Sequence, residues 1–512
     1  MSLEDSSKND SCPDMAEGGL ATAASEATLQ PELQPVPPPS TLARIGRNFA
    51  AVAGIGMINK VVGLATGVYL RQTLGPGIIG MLSWNSALLG YIGLLTNPGM
   101  QIIAKREVIK QPTRSTELYL DRLAAQLILT LPGLAIVLIV AWQLRHQDQR
   151  AIFLLLQAVS LIVSAFAVEW LYEAKERMVF SNAIGLLTAF SQLPVLLLVV
   201  KAPADAVWYA IYPIGFQALG TTILLAIAWR NGLFQRGKIH WHNDTFWGVF
   251  KEGIPITLSS AAIMLYYNCD VFFLGIYSDI DTVGQYSTAY GLMLLVFSGI
   301  VPMWTAFMPR ITAAFEHPEE AQALSRKLFR LMAILGFTFA ACAFAFGREA
   351  VVLVYGVKFG QAGDLLVWLS LNAIALGVNT ALSSPFTVWG RQRLMLWMTL
   401  CSAAINFIGN ALLIPHYGVW VAVWTTLAAE AFVFLFSAIA RRSLVPFDIF
   451  GQFVRIGTPY VLLVLGVEVI KQTHVFPWPL TFAVMLLAVA SLAAWLEPGV
   501  LRQAKAMLAR KR

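Results

Sequence analysis

The chain of 512 residues is 57% hydrophobic and only 13% charged, with a mean hydropathy of +0.66. Soluble proteins carry about 25% charged residues, so a soluble globular fold is excluded, and long apolar runs recur down the chain. The net charge of +7 is scattered over short loops rather than gathered on one patch, which excludes nucleic acid as an expected partner.

Residues 1–43 hold seven acidic residues (Glu4, Asp5, Asp10, Asp14, Glu17, Glu26 and Glu32) against Lys8 alone, and end in the proline-rich run PELQPVPPPS. This composition predicts a disordered, acidic cytoplasmic tail with polyproline II character. It lacks the charged, apolar and small-residue order of a cleavable signal, so the first span is expected to remain as an anchor.

Fourteen membrane spans follow, near 49–70, 78–96, 119–142, 151–171, 179–200, 206–229, 253–274, 286–307, 328–347, 364–389, 394–414, 418–440, 453–470 and 478–496. Each is about the 20 apolar residues that cross a bilayer as a helix, and none shows the short alternating segments of a barrel. The predicted fold class is therefore all-α integral membrane. A break is expected at Ser383-Ser384-Pro385, because proline removes a helix hydrogen bond. With this span count, 28 of the 36 lysines and arginines fall on one side and 7 on the other, leaving Lys60 inside a span. That asymmetry places both termini in the cytoplasm. Arg71 is sorted to the outer side.

The chain also repeats. Gly80-Met81-Leu82-Ser83 is echoed by Gly284-Gln285-Tyr286-Ser287, and Ala174-Lys175-Glu176-Arg177 by Gly390-Arg391-Gln392-Arg393. Ala206-Val207-Trp208 is echoed by Gly418-Val419-Trp420. Six spans per repeat leave both halves the same way up, as parallel repeats related by an axis along the membrane normal. The expected organisation is a tail (1–43), an N-lobe (44–230), a cytoplasmic linker (231–252), a C-lobe (253–441), and two appended spans with a basic tail (442–512).

Lys60 is the leading functional residue. It lies about 12 residues, or roughly 18 Å, into its span, and such a charge in hydrocarbon usually faces a cavity. Gly56, Gly63 and Gly67 share its face, leaving room for a ligand or for close helix packing. Asn59 precedes it. Asn268 and Asp270 sit on the equivalent helix of the second repeat, with Asp270 placed within roughly 6 Å of the outer surface. Asp270 and Glu430 are candidates for ion coupling, and Glu169 and Glu468 read as interfacial. Asn59, Asn372, Asn379, Asn406 and Asn410 suit interhelical hydrogen bonds more than ligand contacts.

Other chemistry is disfavoured. Cys12, Cys269, Cys342 and Cys401 offer no stapled loop. Gly75-Pro76-Gly77-Ile78-Ile79-Gly80 spells a nucleotide fingerprint but follows a membrane span rather than a strand. His240 and His242 lack further metal ligands. No Walker A lysine is present and no nucleophile, histidine and acid converge, so neither enzymatic activity nor a bound cofactor or metal is expected. A coupling proton or sodium ion is the exception left open.

Leu74-Gly75-Pro76 with Gly80, Tyr267-Asn268-Cys269-Asp270 with Val283-Gly284-Gln285-Tyr286, and Val354-Tyr355-Gly356 resemble the polysaccharide flippase branch of the multidrug/oligosaccharidyl-lipid/polysaccharide (MOP, MATE-like) exporter superfamily. The resemblance covers about residues 44–440. It implies two six-helix lobes around a central, often cationic cleft opening alternately to either side of a bacterial inner membrane. It further implies a substrate of undecaprenyl pyrophosphate bearing a short oligosaccharide, destined for O-antigen or exopolysaccharide, with polymerase or assembly proteins as partners. Substrate binding would fall to Lys60, Asn59, Asn268 and Asp270. The alternatives are a cation-coupled multidrug exporter of the same superfamily, which the cation at Lys60 disfavours, and a membrane polysaccharide polymerase or ligase, which the short outer loops disfavour.

Overall fold

The computed structural model describes residues 39–146, 148–234, 243–473 and 477–497, and every regular element among them is helical. Residues 1–38, the His240–His242 pair and the basic residues beyond 497 lie outside the described residues. One compact unit comprises Asn48–Arg512.

Among the described residues, thirteen helices are long and apolar enough to cross a membrane. The first, α1 (Pro39–Thr96), has 58 residues, or roughly 87 Å at about 1.5 Å per residue, far more than one crossing needs. Gly75 divides it with φ 77° and ψ 173°. A glycine accepts this positive φ without steric cost, and Pro76 can then open the second limb because a first-turn N–H has no helical partner. Two spans therefore hide in α1, and the total is the fourteen expected from sequence.

The remaining helices are α2 (Met100–Lys110), α3 (Ser115–Gln143), α4 (Asp148–Ala165), α5 (Glu169–Ala174), α6 (Met178–Val199), α7 (Ala206–Arg230), α8 (Asn243–Tyr277) and α9 (Ile280–Met293). They continue with α10 (Phe297–Ala313), α11 (Pro318–Tyr355), α12 (Gly360–Ser383), α13 (Pro385–Val388), α14 (Gln392–Tyr417), α15 (Val419–Arg441), α16 (Ile449–Thr473) and α17 (Trp478–Leu496). Helix α8 begins ten residues before Gly253, inside the segment read as linker. Helix α2 occupies what reads as a charged loop. It buries Met100, Ile103, Ala104 and Val108, a helical stripe laid against the bundle.

Both repeats break their fourth span near the same end. In the first, α4 stops at Ala165 and α5 resumes at Glu169; in the second, α12 stops at Ser383 and α13 resumes at Pro385. A break strands carbonyls that no longer have helical donors. Arginines supply them: Arg122 donates to Ala165 and, at 2.8 Å, to Ala167, while Arg441 donates to Ala381 at 3.3 Å. Arg441 is fully buried, its guanidinium also bonded to Ser325 at 2.8 Å and stacked over Trp389.

The axis relating the repeats is visible in contacts between residues that differ by 204 in number. A Cβ built on Gly80 would lie 1.9 Å from the Ile280 carbonyl oxygen, and one built on Gly284 would lie 1.9 Å from that of Pro76. Ser83 Oγ donates to Ser287 Oγ at 3.1 Å. Equivalent residues meeting in register along two helices require those helices to run parallel beside a two-fold axis, as parallel repeats demand. The pairing continues outward, where Trp84 covers Gly275, with its Nε1 donating to the Phe272 carbonyl at 3.1 Å, and Arg71 meets Thr288. These pairs are related by the same offset and close the end of the bundle that carries Gly75 and Asp279.

Candidate functional site

Lys60 and Arg71 are eleven residues apart on α1, three helical turns, so their side chains leave the same face. Between them Gly63 and Gly67 keep that face low. Opposite stand Thr288 and Gly291 of α9 and Ser298 of α10, with Tyr355 closing one end. These residues line a cavity of about 300 Å³ between the two lobes. Lys60 Nζ donates to Ser298 Oγ at 3.0 Å. Arg71 Nε donates to Thr288 Oγ1 at 2.9 Å, its Nη1 donates to the Gly67 carbonyl at 3.1 Å, and its guanidinium lies over the Tyr355 ring. The bond to Gly67 turns Arg71 back along α1 toward Lys60.

Neither cation pairs with a carboxylate among the described residues. Two unneutralised cations facing one cavity inside a bilayer are each costly there until an opposite charge arrives. Arg71 is the member that sequence reasoning missed. The first span reads as ending near residue 70, which consigns Arg71 to an outer loop, whereas α1 continues to Gly75. Its three-turn spacing from Lys60 was the available signal.

The other predicted site residues do not join Lys60. Asn59 points away from it, into a second cavity inside the N-lobe. Asn268 donates to the Met264 carbonyl of its own helix at 3.4 Å and lines neither cavity. Asp270 is not hydrated. It is 0% exposed, enclosed in the C-lobe, where its Oδ2 accepts from Tyr286 at 2.6 Å and Thr426 at 2.9 Å, and its Oδ1 accepts from Asn410. Counting residues along a helix yields depth but not facing, and here α9, α14 and α15 supply three donors around the carboxylate. Asn410 also bonds Asn406 and accepts from Thr425.

Glu430 is likewise enclosed, accepting from Tyr266 and Asn379. The C-lobe thus holds two buried carboxylates satisfied by neutral donors, with no cation paired to either among the described residues. Of the asparagines expected to bridge helices, Asn379, Asn406 and Asn410 do so. Asn372 has neither side-chain atom bonded. The cysteines among the described residues are free.

Comparison with known proteins agrees with this architecture. A family profile described as polysaccharide biosynthesis protein matches residues 45–315. A putative O-antigen transporter of Escherichia coli (strain K12) is 20% identical over 328 residues, covering 63% of this chain and 79% of that protein. One from Shigella dysenteriae is 22% identical over 351 residues, covering 67% and 87%. Among solved structures, the lipid II flippase MurJ in an inward closed conformation aligns with a TM-score of 0.65 at 9% identity, over 88% of this chain and 99% of that one. An inward-facing multidrug resistance MATE transporter of the MOP superfamily aligns with a TM-score of 0.57 at 16% identity, over 77% and 98%. At such low identity these two show the fold. With more than half of its length matched by the profile, this multi-pass membrane chain belongs to the polysaccharide biosynthesis protein family, built on the fold shared by those transporters.

Proposed function

We propose that the protein is a flippase that moves polyprenyl-diphosphate-linked oligosaccharide units across the bacterial inner membrane, with both termini cytoplasmic, for O-antigen or exopolysaccharide synthesis. The observation that carries this reading is the pair of unneutralised cations, Lys60 and Arg71, on one face of α1 in the cavity between the lobes. A diphosphate is the anionic group common to such lipids. Lys60 would meet it as a point charge and Arg71 through its planar fork. The polyprenyl chain stays in lipid while the head group occupies the seam.

Alternating access is supported by the symmetric contact at Gly80 and Gly284, which closes the end read as outer and would part as the lobes moved as bodies. An inside-negative potential favours outward movement of the diphosphate by roughly 2.3 kcal/mol per charge per 100 mV. The enclosed carboxylates Asp270 and Glu430 are the groups through which a proton or sodium ion would couple, acting from within the C-lobe rather than on the substrate. Export of organic cations is disfavoured by the same two cations. The putative O-antigen transporters named above support transport rather than catalysis.

Purified protein in liposomes carrying a defined undecaprenyl-diphosphate sugar tests the reading. The wild type should expose the lipid to an enzyme or oxidant outside the vesicle, and the Lys60→Ala, Arg71→Ala double variant should not. Equal rates from both proteins would refute the proposal.

A further inference from the structure

The N-lobe encloses the larger cavity, about 580 Å³, between α1, α5, α6 and α7. Its walls carry Asn59, Thr66, Gln192, Gln217 and Thr221, none of which hydrogen-bonds to another described residue. The Asn59 Oδ1 atom is shut away from solvent with no partner. Unpaired amide and hydroxyl groups inside a membrane protein are costly and are normally satisfied. Asn59 bears this cost, and the other four groups line the same cavity.

The other repeat shows that this slot can be closed. By the 204-residue offset, Thr66 is the counterpart of Asp270, and α6 and α7 are the counterparts of α14 and α15. In the C-lobe the slot between α8, α14 and α15 is filled by Asp270, Asn406, Asn410, Thr425 and Thr426 bonded to one another. In the N-lobe only Thr66 has a polar counterpart in that set, and it stands with Asn59, Gln192, Gln217 and Thr221 around open space. One repeat has a self-satisfied polar core and the other an unsatisfied polar cavity.

We infer that the N-lobe cavity is the sugar-binding half of the substrate site, taking uncharged, hydroxyl- or acetamido-bearing residues of the glycan. This rests on the flippase reading above. Amides and hydroxyls both donate and accept, matching the hydroxyls and acetamido groups of a neutral sugar. The charged residues of the lining are two carboxylates on α5. Glu169 accepts from the Val168 N–H at 3.0 Å, and Glu173 pairs with Lys105 at 2.8 Å. An acidic sugar would meet like charge there. Continuity with the cation site comes from Gly63, which lines both cavities and at which a Cβ would meet nothing within 4 Å. A head group can therefore rest its diphosphate on the Lys60–Arg71 face and its sugar on the Asn59–Thr66 face of the same helix.

The test uses the full chain in lipid nanodiscs and two probes, undecaprenyl diphosphate and undecaprenyl-diphosphate-N-acetylglucosamine. The wild type should bind the sugar-bearing lipid about tenfold more tightly, the gain from one or two net hydrogen bonds. Gln192→Leu with Gln217→Leu should erase that preference while binding of the bare lipid stays within about twofold, which also reports that the variant is folded. If that variant loses both lipids, the near-isosteric Thr66→Val with Thr221→Val replaces it under the same criteria. Equal affinity of the wild type for the two probes, or a preference surviving in the folded variant, overturns the inference alone. Wild-type binding of neither lipid overturns the flippase reading and this inference with it.

Discussion

Alanine at Gly80 would put a methyl group into the contact on which the lobes meet. Its Cβ would sit 1.9 Å from the Ile280 carbonyl oxygen and 2.6 Å from the Gly284 nitrogen. Ordinary contact begins at 3.4 Å, so the two helices would have to separate by about 1.5 Å at that level. Both intruded atoms belong to backbone, so no side-chain rotation relieves the clash. Overpacking of this kind costs typically 1–3 kcal/mol, and the cost falls only on the state in which this end is shut. Through about 1.4 kcal/mol per tenfold, the closed population should fall by roughly 5- to 150-fold relative to the open one.

The Ser83–Ser287 pair supplies the assay, because its Oγ atoms are 3.1 Å apart in the closed arrangement. Ser83→Cys with Ser287→Cys should form a disulfide readily under mild oxidant, and adding Gly80→Ala should slow that formation at least fivefold. Gly284→Ala should act equally, since its Cβ would meet the Pro76 carbonyl oxygen at the same 1.9 Å. Unchanged cross-linking in both alanine variants would show that the lobes do not part at this seam, and the alternating mechanism would fail.

Lys60→Ala and Arg71→Ala should each reduce flipping about 10- to 100-fold, the range expected for a lost charge-assisted bond, with thermal stability unchanged in a melting assay. Arg71→Lys should not rescue transport, because a lysine cannot hold Thr288, the Gly67 carbonyl and the Tyr355 ring together. Asp270→Asn should lower the thermal midpoint, costing about 1–3 kcal/mol, because Asn410 would then face an amide in place of one carboxylate oxygen. Glu430→Gln, which keeps an acceptor for Asn379 or Tyr266, should be milder in the same melt. In a transport assay run with and without a sodium or proton gradient, Asp270→Asn should remove the gradient dependence and leave the voltage-driven rate.

Much of the architecture was legible because bilayer physics leaves few options. Apolar runs must be helices, and the similarity of Gly80–Ser83 to Gly284–Ser287 exposed the duplication. The seam itself was partly written there, since residues that look alike in sequence turned out to touch. The site was legible only in part. Lys60 stood out because a charge in a span is rare. Arg71 did not, because a boundary error of five residues moved it to a loop. Helix rise assigns Asp270 a depth but not a facing, and the facing depends on Tyr286, Asn410 and Thr426, which come from three other helices and leave no local trace. The cavity inside the N-lobe was invisible for a related reason. Asn59, Thr66, Gln192, Gln217 and Thr221 are individually ordinary, and only packing shows that nothing satisfies them.

The two repeats descend to the same backbone plan but divide the chemistry between them. At the offset of 204, Lys60 corresponds to Met264, Arg71 to Gly275, and Thr66 to Asp270. Cations therefore sit on one repeat and a buried carboxylate on the other, at positions a symmetric ancestor would have made alike. Gly275 illustrates the exchange: where one repeat places the Arg71 side chain against Thr288, the other removes its side chain so that Trp84 can lie flat on the backbone. A flippase working as proposed above would make use of this inequality. Were both first helices cationic, the seam would repel itself when empty. Were both acidic, no anion could enter it. On the proposed reading, with Lys60 and Arg71 on the N-lobe side of the seam and Asp270 and Glu430 enclosed in the C-lobe, the seam would close when empty through Gly80 and Gly284 and attract a diphosphate when it opened.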